Sequence, residues 1–236
     1  MKLKVYKPRY KFESMLLSRA FMVFISNLDK SGSIIDVGAN FGWTSHFFSH
    51  FFKEVISFEP CEIPYKMLQE VALDRKNIYC YNYAVACPEI CKQEVLKIQT
   101  PFDTEYSDYN YEMATIKLDQ IEQLHGEYGD RFSQDNKVEE IVPVCLDDFD
   151  WDNFARPSGI KIDVEGFEYN VLMGAVETIE KYRPRLLIED AWLTDEERDL
   201  VDNLMTDLKM VGRPVDPHNT IYEPRERRWD FIWDDF

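Results

Sequence analysis

Three stretches of the sequence hold residues whose types and spacing could do chemistry. The first is Ile34-Ile-Asp-Val-Gly-Ala-Asn-Phe-Gly-Trp43, an apolar run that carries one acid and ends in two glycines before a helical pattern begins. Glycine lets a backbone approach a ligand and take conformations closed to other residues, and the free N–H groups of the following helix favour a carboxylate or phosphate. The second is Phe58-Glu-Pro60. Glu59 closes the next apolar run, where a parallel neighbouring strand sets it beside the glycine turn, and a carboxylate there can accept both hydroxyls of a ribose. The third is Ile160-Lys-Ile-Asp-Val-Glu-Gly-Phe-Glu168, in which Asp163 ends a strand while Glu165 and Glu168 occupy the turn and the first helical residues. The carboxyl ends of central strands are where open α/β sheets bind ligands. Asp163 is therefore the first candidate for an acid–base group, with Glu165 and Glu168 as partners.

The glycine turn narrows the ligand. A dinucleotide fingerprint needs glycine in all three places of G-x-G-x-x-G, so that the pyrophosphate and the helix can come close. Here Asn40 and Trp43 stand at the second and third. S-adenosylmethionine has no pyrophosphate, only an amino acid, a ribose and an adenine joined through sulfur, and fits such a turn better. Each signal alone has an ordinary explanation. Glycine commonly follows a strand, an acid at a strand end is usually solvated, and acids at a helix N-terminus gain about 0.3–1 kcal/mol each from the dipole. Together, the glycine turn and Glu59 favour a ribose-bearing ligand. His46 and His50 share a helix face four residues apart, which reads as surface or packed histidine rather than a metal pair. Trp229 and Trp233 read as packing residues.

The elements that must position these residues follow from alternating apolar runs and helical patterns, the mark of strands joined by crossover helices. The pattern predicts strands over 32–38, 54–58, 77–85, 160–163 and 185–189, and helices over 43–53, 63–73 and 194–208. A further helix is expected with Val171, Leu172, Ala175, Val176 and Ile179 on one face. Two closing strands are expected around Ile221 and Phe231. Extended segments over 93–99 and 138–145 flank a polar stretch, about 100–137, that holds Tyr106, Tyr109, Tyr111 and Tyr128 among many acids and reads as an insertion or lid. An apolar run over 15–28 predicts an N-terminal helix. The expected organisation is a helical extension over 1–30, packed on a main domain over 31–236.

Composition excludes several classes. The 236 residues carry a formal charge of −17, which argues against a nucleic-acid partner because phosphate contact needs Lys and Arg to displace counterions. The basic N-terminal residues are not followed by an uninterrupted apolar stretch of about 20 residues, so no membrane span is expected. The five cysteines form no C-x-x-C pair and are read as reduced thiols of a cytoplasmic protein, not as a zinc site.

Asp36-Val-Gly-Ala-Asn-Phe-Gly42, Phe58-Glu-Pro60 and Lys161-Ile-Asp-Val-Glu-Gly-Phe-Glu168 follow one another as in the FkbM-type methyltransferases, which this chain resembles over roughly 33–223. Val171-Leu-Met-Gly-Ala175, Arg183-Pro184 and Leu187-Ile-Glu189 extend the likeness, while Cys145-Leu-Asp147 departs from the family's usual Thr-Leu-Asp. The resemblance implies a Rossmann-like class I methyltransferase fold with an open, mostly parallel sheet, S-adenosylmethionine as donor, S-adenosylhomocysteine as product, and transfer to a hydroxyl of a sugar or natural product. It implies that Asp36, Gly38, Asn40 and Gly42 line the methionine end of the donor, Glu59 the ribose, and Ala84 and Val85 the adenine. A divalent metal would fall to Asp163 and Glu189. A nicotinamide oxidoreductase and a non-catalytic domain on the same sheet are the rival readings.

Overall fold

A computed structural model describes residues 18–103, 108–109, 114–116 and 132–226. Its organising element is β1 (Ser33–Val37), all five of whose residues are buried because both faces of the strand are covered. Ile34 faces one core, with Val55, Leu187 and Ile221, and Ile35 and Val37 face the other, with Ile160, Ile162 and Ile188. The strand pairs in parallel with β2 (Glu54–Phe58) on one side and β9 (Pro157–Ile162) on the other. β3 (Ile78–Tyr81) and β10 (Arg185–Glu189) extend the parallel sheet outward, and β12 (Asn219–Pro224) and β11 (Met210–Asp216) close one edge antiparallel. The seven-stranded order is β11-β12-β10-β9-β1-β2-β3.

Helices cover both faces. On one side lie α1 (Arg19–Ser26), α2 (Trp43–Ser49) and α3 (Glu62–Leu73), which bury Phe24, Phe47, Phe48 and Leu68. On the other lie α5 (Glu168–Met173), α6 (Val176–Tyr182) and α7 (Asp195–Asp207). Between β3 and β9 come the short β4 (Ala84–Val85), α4 (Pro88–Cys91), β5 (Leu96–Asp103), β6 (Asp108–Tyr109), β7 (Phe132–Ile141) and β8 (Pro143–Val144). β4 pairs with β8 in a two-stranded parallel sheet, and β6-β5-β7 form an antiparallel arm. No helix among the described residues is long and apolar enough to cross a membrane.

Three elements differ from the sequence pattern. The expected strand over 77–85 breaks after Tyr81, because Asn82 turns its side chain back onto the carbonyls of Glu59 and Pro60 and β4 leaves the main sheet. The helix expected around 171–179 is two helices, interrupted at Gly174, which lies so close to the Ala86 carbonyl that a side chain would overlap it. The closing strands are β11 and β12. The strand expected around Phe231, the tryptophans Trp229 and Trp233, the start of the helix expected over 15–28 and Tyr106, Tyr111 and Tyr128 lie outside the described residues.

Helix α1 is tied down through its C-terminal carbonyls. The Arg185 guanidinium donates to Val23 O and Phe24 O, both at 2.9 Å, and forms a buried ion pair with Glu223. Lys30 donates to Ile25 O. Phe24 is fully buried, and cutting such a ring to methyl removes about 3–5 kcal/mol. Phe24→Ala is therefore expected to lower the midpoint of urea unfolding without changing the slope. An unchanged midpoint would show that α1 lies outside the cooperative unit.

Candidate active site

The site is built on two neighbouring strand ends. Register pairs Asp36 of β1 with Lys161 of β9. Lys161 is buried, with its ammonium 3.3 Å from Asp36 Oδ1, 3.1 Å from Asp163 Oδ2 and 2.9 Å from the Gly38 carbonyl it donates to. Burial disfavours the charged ammonium, but the Asp163 and Asp36 carboxylates outweigh it and hold its pKa above the ordinary lysine value. Asp36 Oδ2 accepts from Ser45 Oγ at 2.6 Å, which fastens α2 to the same bracket. Asp36, expected at the methionine end of the ligand, thus faces the interior and does not line the cavity.

Beyond Val37 the chain makes a turn of three left-handed residues, Gly38 at φ +73°, Asn40 at +48° and Gly42 at +84°. A Cβ on Gly38 would overlap the Asp163 carbonyl oxygen, so only glycine lets β1 and β9 end side by side there. Gly42 is the N-cap of α2 and lies against Leu68, away from the cavity that Gly38, Ala39 and Asn40 line. Glu59 holds the turn from below. Its Oε2 accepts from the Asn40 N–H and its Oε1 from the Cys61 N–H, both at 2.8 Å. The sequence expectation gave Glu59 ligand hydroxyls alone. The structure adds two backbone partners, so the residue shapes the turn as well as lining the cavity. Burial pushes its pKa up to about 7.

Beside the turn, three carboxylates converge on the same cavity. One oxygen each of Asp163, Glu165 and Glu189 lies within 4.8 Å of the others. Glu165 was expected as a partner of Asp163 and Glu189 as a metal candidate, and the turn after β9 and the end of β10 bring all three together. Burial, then the charge of Asp163, pushes Glu189 up to about 9, and burial with the charges of Asp163, Glu189 and Glu168 raises Glu165 well above the carboxylate range. Asp163 has the Lys161 ammonium beside it. Hard oxygen ligands so arranged suit a divalent cation of the magnesium type. Glu168, expected beside Asp163 and Glu165, is turned away from them. It is 1% exposed, does not line the cavity, and accepts from the Val164 and Gly166 N–H groups at 3.1 Å, fixing the turn that carries Glu165 at φ +54°. Its pKa too is pushed by burial to about 7.

Turn and acids together line a cavity of about 330 Å³, within the range of small-ligand sites. Tyr83, Ala84 and Val85 wall one side, because the break after β3 turns β4 across the top of the sheet. Ile98 of β5 with Ala114 and Ile116 covers it, and Thr115 Oγ1 donates to the Glu165 carbonyl at 2.9 Å. Ala114 and Ile116 belong to the stretch expected as an insertion or lid. Sequence reasoning missed Lys161 and Phe21, the α1 ring that lines the cavity. A lysine inside an apolar strand, opposite an aspartate inside another, was the available signal for the first; nothing local marked the second.

The family model described as methyltransferase FkbM domain matches residues 36–212. Among solved structures, the FkbM methyltransferase of Methylobacillus flagellatus superposes with a TM-score of 0.52 at 18% identity, covering 92% of this chain and 50% of that one. The chain thus spans about half the length of that relative, with which it shares the class I methyltransferase fold. Aeropyrum pernix fibrillarin, solved with bound S-adenosyl-L-methionine, gives a TM-score of 0.48 at 13% identity, covering 90% of this chain and 76% of the other. No curated protein sequence matches this chain significantly.

Glu59 and Glu168 each titrate at about 7 in the folded protein, against 4.5 for a free side chain. The folded state therefore binds more protons than the unfolded state between those values, and stability falls as pH rises through that window. Glu168→Gln keeps an oxygen for Val164 and Gly166 and removes one buried charge. Its melting temperature relative to wild type, followed by calorimetry, is expected to improve from pH 5 to pH 8. A relative loss over that interval would contradict the assignment.

Proposed function

Because the chain belongs to the FkbM methyltransferase family, we propose that it transfers the methyl group of S-adenosylmethionine to a hydroxyl oxygen of a sugar or another small natural product, releasing S-adenosylhomocysteine. The observation that carries this reading is one cavity lined together by the glycine turn, Glu59 and three carboxylates. The donor's methionine lies along 38–40, its ribose hydroxyls share Glu59 with the turn, and its adenine rests against Ala84 and Val85. Asn40 and Trp43 in place of glycine disfavour a nicotinamide dinucleotide. The net charge of −17 supports a small acceptor over a nucleic acid.

Methyl transfer from a sulfonium is an in-line displacement, so the chain mainly holds acceptor oxygen, methyl carbon and sulfur in line. A hydroxyl is a weak nucleophile at neutral pH and needs a group to take its proton as it attacks. Asp163, held beside the Lys161 ammonium, is the base. Glu189, pushed up to about 9 by burial and by its hydrogen bond to Asp163, keeps its proton near neutral pH and holds Asp163 in place. A divalent cation, when bound, would be held by Asp163, Glu165 and Glu189 and would make the hydroxyl more acidic.

The donor half of the reading is tested without an acceptor. Saturation with S-adenosylhomocysteine at a hundredfold excess over its dissociation constant adds about 2.7 kcal/mol, which is worth roughly 5–11 °C in melting temperature for a domain of this size. Stabilisation by NADH and by neither adenosyl compound would overturn it. Once an acceptor is found, Asp163→Asn is expected to slow methylation by about 10²–10⁴ while leaving donor affinity within a few-fold. Loss of wild-type activity in EDTA, restored by magnesium, would assign Asp163 to a cation, and indifference to EDTA would assign it to proton transfer. A wild-type rate in the asparagine variant would exclude both.

A further inference from the structure

All five cysteines are free thiols, yet two of them meet: Cys91 Sγ and Cys145 Sγ are 3.0 Å apart. The contact follows from topology. β4 and β8 pair in register, Ala84 with Pro143 and Val85 with Val144; Cys145 directly follows β8, and Cys91 ends α4, the helix that follows β4. A disulfide needs about 2.05 Å, so the sulfurs have about 1 Å to close. Cys91 is half-buried and Cys145 buried, so an oxidant reaches Cys91 while Cys145 has no room for a bulky adduct.

We propose that Cys91 and Cys145 form a covalent modification site, at which a small-molecule disulfide oxidises them to an intramolecular cross-link. The Cys91 thiolate attacks one sulfur of the small disulfide and releases the first small thiol. The Cys145 thiolate then attacks the Cys91 sulfur of the mixed disulfide and displaces the second. Two protein thiols are oxidised, one small disulfide is reduced, and the two protons leave on the released thiols. Burial raises the pKa of both cysteines, so exchange is slow near neutrality and accelerates with pH. The cross-link joins the two feet of the segment that contributes Ile98, Ala114 and Ile116 to the cavity lining.

The test uses the full chain with oxidised glutathione at pH 8.5, trapping of remaining thiols with N-ethylmaleimide, and mass spectrometry of the tryptic digest. Cys80, Cys87 and Cys91 share one tryptic peptide, so fragmentation assigns the sulfur. The expected product is a Cys91–Cys145 link with three thiols still alkylated. It forms faster at pH 8.5 than at pH 7, is reversed by a phosphine reductant, and raises the melting temperature relative to the reduced chain. Cys91→Ser, at a half-exposed position, is expected to abolish the link. A glutathione adduct that persists on Cys91, a Cys87–Cys91 link, or five alkylated cysteines would overturn the proposal. None of these outcomes depends on the donor or the acceptor.

Discussion

One buried cation holds the site together. Lys161 is the last residue but one of β9, where every other residue is apolar or small, and placing an ammonium there is unfavourable unless it is fully paired. It is paired three ways, with Asp36 across the strand register, with Asp163 just past the end of its own strand, and with the Gly38 carbonyl. Removing one partner of such a set costs about 3–5 kcal/mol, because the remaining charge stays buried without compensation. The bracket therefore fixes the relative position of the ends of β1 and β9, and with them the glycine turn and the acidic edge.

The electrostatics of the cavity descend from the same bracket. Asp163 lies beside the cation, whereas Glu165 and Glu189 share the acid cluster and are pushed towards the protonated form. Like charges crowded into a low-dielectric space cannot all ionise, which is why Glu165 and Glu189 are raised. Glu59 and Glu168 do the complementary work on the backbone. Each spends its carboxylate on N–H groups of a turn that contains left-handed residues, Asn40 in one case and Glu165 with Gly166 in the other. Two turns that would otherwise be strained are in this way held open to a ligand.

Most of the sheet was legible because parallel strands buried on both faces read as short apolar runs, and β1, β2, β9 and β10 are such runs. The glycine turn, Glu59 and Asp163 were legible for the same reason, as polar residues at the ends of those runs. What the pattern could not show was direction. Asp36 and Glu168 sit in the right segments, yet Asp36 points into the core beside Ser45 and Glu168 curls back onto its own turn. The break at Asn82 was hidden because Ala84 and Val85 continue the apolar pattern of β3 while pairing with a strand some sixty residues later. Phe21 reaches the cavity only through α1, whose position depends on the distant pair Arg185 and Glu223.

The central claim is that the bracket around Lys161 sets the glycine turn for a methyl donor and the adjoining acids for its acceptor. A crystal structure of the chain with S-adenosylhomocysteine tests it most directly. The claim predicts the ribose against Glu59, the adenine against Ala84 and Val85, the sulfur facing Asp163 and Glu189, and the Lys161 ammonium still between Asp36 and Asp163. Density for the ligand outside the cavity, or a complex in which Lys161 has left its two carboxylates, would contradict it.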